Sequence, residues 1–283
     1  MLGHLQTIAA SLLPPPRVAL RRERWDTPDG DFVDVDFAGD PGAARTVVLF
    51  HGLEGCSDSH YARGIAAHAA QRGWRVALPH FRGCSGEINR KPRAYHSGDS
   101  DEVEWLLRKF SAPVCAIGVS LGGNALLKWL GERGEAARGV VRRAAAVSAP
   151  LDLAAAGDAL DRGLNRVLYT AHFLSTLRPK SLAKLAAYPG LYDAGAVKAA
   201  RTFRAFDNLV TAPLHGFRDV DDYWTRASCG QWLESIRVPT LVLNARNDPF
   251  LPQEKLISPE QPRKCGRATR QPRCAACAAI PRA

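Results

Sequence analysis

Val114-Cys-Ala-Ile-Gly-Val-Ser120-Leu-Gly-Gly123 is a short apolar run that leads directly into a glycine-flanked serine. Val114–Ile117 is apolar at every position, as a strand buried on both faces of a parallel sheet would be. Leu121 to about Leu130 reads as a helix. A plain glycine-rich turn could carry the same pentapeptide, but the strand before it and the helix after it favour a nucleophile elbow. In such a turn the serine is strained, and glycines two before and two after it let neighbouring segments approach. The turn lifts the hydroxyl above the sheet and aims the first helical N–H groups at it, which favours developing negative charge. Ser120 is therefore the candidate nucleophile, and Leu121 N–H a candidate oxyanion donor.

Outward from this turn, similar runs recur at Thr46–Phe50, Trp74–Leu78, Arg143–Val147 and Thr240–Leu243. Helical stretches separate them, one from a Ser59 N-cap to about Gly73 and another over Ser100–Phe110. Strand–helix–strand alternation predicts an α/β fold with right-handed crossovers. Phe32–Phe37 alternates with period two and predicts an antiparallel strand with one wet face, entered through a turn at Asp29-Gly30. From Leu151 to about Ser235 helical and polar segments replace the strands, which predicts a helical insertion over the sheet. After Pro252 periodicity stops, and the remainder reads as a disordered tail.

Two further signals belong with Ser120. His51-Gly-Leu-Glu-Gly55 follows the strand Thr46–Phe50, where a loop amide supplies the second oxyanion donor; Leu53 is the candidate. His51 reads as a structural residue holding that loop. Asn247-Asp-Pro-Phe250 follows a late strand, the place of the triad carboxylate in the order Ser, Asp, His, so Asp248 is the candidate acid. His60, at a helix start near the first loop, is a candidate substrate contact. His96 opens an H-x₄-D segment, for which a structural role is favoured over an acyltransferase one.

Composition bounds the alternatives. The 283 residues, 46% hydrophobic, can bury a large core, and no apolar run is long enough to span a membrane. Met1–Leu20 lacks the features of a signal peptide. The net charge is +10, but from Lys255 onward there are seven basic residues and one acid, so most of the charge sits in the tail. No aromatic stripe accompanies it, and nucleic-acid binding is not expected. The seven unpatterned cysteines suggest reduced thiols and a cytoplasmic location. Cys265, Cys274 and Cys277 lack a fourth ligand and a zinc-site spacing, so no metal is expected.

Taken together, Gly3-His-Leu-Gln-Thr-Ile8, His51–Gly55, Ser59-His-Tyr-Ala62, Phe81-Arg-Gly-Cys-Ser-Gly86, Tyr95-His-Ser-Gly98, Gly118–Asn124, Thr211–Phe217 and Asn247–Pro252 resemble the YheT-like branch of the α/β-hydrolases, related to mammalian abhydrolase-domain esterases. The resemblance covers residues 1 to about 258. It implies an α/β-hydrolase fold with a mostly parallel sheet flanked by helices. Core segments would lie at 1–150 and 236–254, a helical cap at 151–235 and an atypical tail at 255–283. It further implies a cytoplasmic hydrolase of carboxylic esters, acylglycerol-like or of short-to-medium acyl length. No cofactor, metal or integral membrane segment is implied; transient membrane contact is compatible. Ser120 matches the family nucleophile and Asp248 the family acid. An acyl-binding protein without turnover and an acyltransferase are the alternatives.

The resemblance breaks at one point. The family histidine follows the acid in a Gly-Gly-His block after one more strand, with a final helix beyond. Here all eight histidines, from His4 to His215, precede Asp248. The Arg-, Pro-, Ala- and Cys-rich residues after about 255 are what a shifted reading frame in a GC-rich gene would encode. The expected consequences are a nucleophile without its base, an open sheet edge and poor solubility.

Overall fold

Asp34 and Asp36 face the arginines of a strand that charge patterning alone does not reveal. β1 (Arg21–Asp26) pairs antiparallel with β2 (Phe32–Ala38), joined by the expected turn with Gly30 at φ +79°. Arg22 Nε lies 2.8 Å from Asp36 Oδ1, and Arg24 Nε 2.8 Å from Asp34 Oδ1. The predicted wet face of β2 is therefore absent: all seven of its residues are buried, because the bidentate guanidinium pairs replace water around the carboxylates.

The computed structural model describes residues 2–12, 14–252 and 276–280. The other strands are β3 (Thr46–Phe50), β4 (Arg75–Pro79), β5 (Val114–Val119), β6 (Val141–Val147), β7 (Thr240–Asn244) and β8 (Ala276–Ile280). They form one sheet in the order β1-β2-β4-β3-β5-β6-β7-β8. From β4 through β7 every pairing is parallel; β2 meets β4 and β7 meets β8 antiparallel. The expected α/β fold is thus observed. The tail reading for residues 253–275 and 281–283 lies outside the described residues. At 276–280, where no element was predicted, β8 covers the β7 edge that the sequence reading left open. Backbone pairing needs no alternation of side chains, so this strand had no periodic signal.

Helix α1 is Leu2–Leu12, α2 His60–Ala70, α3 Ser100–Leu107 and α4 Leu121–Arg133. Alternate residues of β5 face opposite layers. Val114 and Ala116 join the large core with Leu106, Leu126, Trp129 and Leu130 of α3 and α4. Cys115, Ile117 and Val119 lie against the smaller cluster built by α2. The expectation of strands buried on both faces holds for β3 and β4 but not for β5–β7, whose second face is only partly covered.

Between β6 and β7 residues 151–235 hold helices and no strand, including Leu153–Leu160, Ala171–Ala187 and Val220–Ala227. Side-chain caps start several of them: Asp152 accepts from Ala155 N–H before Leu153–Leu160, Asp193 from Ala196 N–H before Ala194–Ala199, and Asp219 from Asp222 N–H before Val220–Ala227. Ser59 precedes α2 without capping it; its hydroxyl accepts from Cys56 N–H instead.

Asn124, fully buried in α4, joins this helical insertion to the sheet. Its amide nitrogen donates to Ser97 O at 2.9 Å and Ala227 O at 2.8 Å, and its oxygen accepts from Cys229 N–H at 2.9 Å. Asn124→Ala strands these groups in a dry interior. It is expected to lower stability by about 2–4 kcal/mol, to be measured by urea unfolding.

Candidate active site

Ser120 sits at φ 52° and ψ −117°, between β5 and α4, in the strained turn the sequence implies. The turn is held by Ser120 N–H donating to Val147 O at 2.8 Å and by Gly122 N–H donating to His51 O at 3.1 Å. The glycines are required by close approach. A Cβ on Gly118 would lie 2.4 Å from Gly122 O, and one on Gly122 would lie 2.5 Å from the carbonyl oxygens of Phe50 and His51. The loop His51–Gly55 lies directly alongside: a Cβ on Gly52 would be 3.3 Å from Ser120 Cβ.

That loop is tied down on both sides of one amide. Gly52 N–H donates to Tyr61 Oη at 2.8 Å and Glu54 N–H to Tyr95 Oη at 2.9 Å. Leu53 N–H, between them, has no acceptor among the described residues. Leu121 N–H, first in α4, has none within its helix. His51 is buried beneath the loop, its Nδ1 2.7 Å from Gly52 O and its Nε2 accepting from Phe81 N–H at 3.0 Å. Nδ1 must then carry the proton and donate it to Gly52 O. Burial pushes the imidazole down to about 3, so it is a neutral structural residue, as expected.

Glu54, at φ 55°, receives Tyr95 Oη–H at 2.8 Å and Lys180 Nζ at 2.8 Å. Lys180 belongs to the helix Ala171–Ala187, so this ion pair fastens the insertion to the loop His51–Gly55. Cys84 lies beside the pair, and burial pushes its thiol up to about 12.

Asp248 follows β7. Its Oδ1 accepts from Phe250 N–H at 2.9 Å, and Ser148 also hydrogen-bonds its carboxylate. Burial raises its pKa above the ordinary carboxylate range, against those two bonds. Among the described residues no histidine hydrogen-bonds Asp248 or Ser120 Oγ.

The cavity at Ser120 has a volume of about 190 Å³ and a mainly apolar wall. Leu53, Ser120, Leu121 and Ser148 line its sheet side; Leu153, Leu160, Phe173, Leu177, Phe206 and Trp224 line the insertion side. Phe250 brings the Asp248 loop to its edge. His96 and His215 also line it, their rings 4.4 Å apart. His96 Nδ1 accepts from Gly98 N–H at 3.2 Å, and burial lowers His96 to about 4 and His215 to about 3. Both are neutral wall residues at pH 7. His60 packs edge-on to Tyr61 and is not among the lining residues; the neighbouring Tyr61 holds the loop. No cluster of three metal-ligating side chains occurs among the described residues, and Cys265 and Cys274 lie outside them.

Residues 45–270 match the family model described as alpha/beta hydrolase fold. The chain belongs to the α/β-hydrolase family. It is 39% identical to "Putative esterase YheT" of Escherichia coli (strain K12), over 91% of this chain and 78% of that one. It is 30% identical to phospholipase ABHD3 of Mus musculus, over 85% of this chain but only 61% of the relative's length. It is 27% identical to a monoacylglycerol lipase of Saccharomyces cerevisiae, over 82% of this chain and 53% of the relative. A solved esterase of Pyrococcus furiosus aligns at 20% identity with a TM-score of 0.42, over 62% of this chain and 74% of that chain. The expected YheT-like membership and esterase/lipase-type hydrolase class are thus found. Among the described residues no helix is long and apolar enough to cross a membrane.

Sequence reasoning missed Tyr61, Tyr95, Ser148 and Lys180. Lys180 lies 126 residues from Glu54. No local pattern joins them, although Glu54 stood inside a recognised motif.

Proposed function

We propose that this chain attacks carboxylic esters of lipid character through Ser120, with Leu53 and Leu121 N–H receiving the oxyanion and Asp248 placed to orient a base. The observation that carries this reading is the strained serine beside two backbone donors that have no acceptor among the described residues, all opening on one apolar cavity. In the first step Ser120 Oγ bonds to the ester carbon, the carbonyl electrons move onto oxygen, and the base receives the hydroxyl proton. Collapse then releases the alcohol with that proton, leaving an acyl group on Ser120. Water repeats the sequence to release the acid. The helices of residues 151–235 act as a cap whose apolar side chains hold the acyl chain. The names of the relatives, an esterase, a phospholipase and a monoacylglycerol lipase, support an acylglycerol-like or phospholipid ester.

The test is release of p-nitrophenol from esters of graded acyl length, with imidazole supplied as base. Ser120→Ala is expected to remove the protein-dependent rate at every length, and four- to eight-carbon chains to outrun sixteen-carbon ones in so small a cavity. An unchanged rate in Ser120→Ala would refute the assignment. Because no histidine bonds Asp248, a second reading is favoured beside it: acyl binding without turnover, seen as ester binding with no release. Acyl transfer would show as glyceride formed when glycerol is added.

A further inference from the structure

Seven large apolar side chains are exposed among the described residues, and five of them lie on two neighbouring segments. Leu5 (65% exposed) and Ile8 (37%) stand on α1; Leu164 (57%), Val167 (70%) and Leu168 (42%) stand on the stretch Gly163–Thr170 of the helical insertion. His4 joins the segments, its ring stacked on Tyr169 at 5.8 Å. Both rest on the loop of the acid. A Cβ on Gly3 would lie 2.3 Å from Asn247 O, Asn165 Nδ2 donates to Pro249 O at 2.6 Å, and Tyr169 packs edge-on to Phe250 at 4.5 Å. Phe250 lines the Ser120 cavity, so the apolar face adjoins the site.

The two segments themselves carry no carboxylate. Residues 1–20 contain no carboxylate side chain, and none occurs between Asp161 and Asp193, a stretch holding Arg162 and Arg166. Arg162 and Arg166 are exposed beside these apolar side chains; Arg162 lies 3.4 Å from Asp158, and Arg166 is in no ion pair among the described residues. We propose that Leu5, Ile8, Leu164, Val167 and Leu168, with Arg162 and Arg166, dock the protein on an anionic lipid bilayer, placing the Ser120 cavity at the lipid surface. Apolar side chains entering the acyl boundary beside arginines at the headgroups is the usual physics of an interfacial segment. A second copy of this chain is the weaker occupant. Two-fold symmetry would bring Arg166 near its own copy, with no carboxylate on α1 or on Gly163–Thr170 to answer it. The choice of lipid over protein rests on the lipid-ester reading; the surface itself does not.

The test is cosedimentation of the full chain carrying Ser120→Ala with phosphatidylglycerol vesicles and with phosphatidylcholine vesicles. Binding needs no turnover, so its outcome is separate from that of Ser120 chemistry. Binding to phosphatidylglycerol is expected at least tenfold above phosphatidylcholine. The further change Val167→Asp with Leu168→Asp should reduce it about tenfold or more, with the cooperative thermal transition kept. Should that variant not fold, Arg166→Glu, a single exposed reversal, should cost about fivefold or more. Undiminished binding by the folded variants would assign the attraction to other basic residues, including those after Lys255, and overturn the proposal. So would absence of binding to either vesicle. A dimer in sedimentation equilibrium that the same variants dissolve, without vesicle binding, would give the surface to a second copy.

Discussion

Imidazole added to the 283-residue chain is expected to raise ester hydrolysis severalfold to a hundredfold, and Ser120→Ala to abolish the gain. The reasoning starts from Asp248, which is buried and bonded to Phe250 N–H and Ser148 with no imidazole against it. A serine triad without its histidine loses on the order of 10⁶ in turnover, because the hydroxyl proton has no acceptor as the ester bond forms. The proposal keeps its other parts: the Ser120 elbow and the Leu53 and Leu121 amides, which have no acceptor among the described residues. Supplying the base from solution should therefore restore part of the rate, saturably with imidazole and only where Ser120 is present. Initial rates of p-nitrophenyl butyrate release, corrected for free imidazole, would measure it. High turnover without imidazole would mean that a histidine within the chain, His96 or His215 at the cavity wall, completes the site.

Arg82→Ala is expected to destabilise the fold by about 3–5 kcal/mol, more than any other single change considered. Arg82 is buried beside the cavity, with Nε 2.7 Å from Glu102 Oε2 and Nη1 3.1 Å from Asp31 Oδ2. Asp31 and Glu102 are themselves buried. Asp31 keeps donors in Asn89 and the Arg90 N–H, but Glu102 keeps only the Arg93 guanidinium, 3.8 Å away, and its Oε1 has no partner among the described residues. Burial, then Asp99, raises Glu102 to about 7. A carboxyl raised in the folded state binds more protons there than in the unfolded chain. Its contribution to stability therefore falls as pH rises from its ordinary value of 4.5 through 7. Removing Arg82 raises Glu102 further, so the loss should be largest above neutrality and shrink toward pH 5. Urea unfolding at two pH values would measure both effects; equal losses at each would contradict the role given to Glu102.

Much of this site was legible in the chain because its chemistry demands local features. An elbow needs glycines at fixed offsets around Ser120, and the loop His51–Gly55 and Asp248 each follow a short apolar strand. What escaped reading depends on distant partners. β1 looks like a solvated charge run until Asp34 and Asp36 are placed opposite Arg24 and Arg22. Lys180 acquires meaning only when its helix folds over Glu54. His60 was assigned to the substrate by proximity in sequence. A helix start fixes where a residue begins but not which way it faces, and the cavity wall took other residues. β8 had no alternation to read, since an edge strand is specified by backbone hydrogen bonds.

The central claim is that Ser120 takes the acyl group. Without a base, deacylation is impaired as much as acylation, so an acyl group that reaches Ser120 should persist. Intact-mass measurement after long incubation with p-nitrophenyl butyrate, followed by peptide mapping, tests this directly. The account expects one butyryl group per chain on the peptide containing Ser120, absent in Ser120→Ala and formed faster with imidazole. Label confined to lysines, or equal in the two proteins, would contradict it.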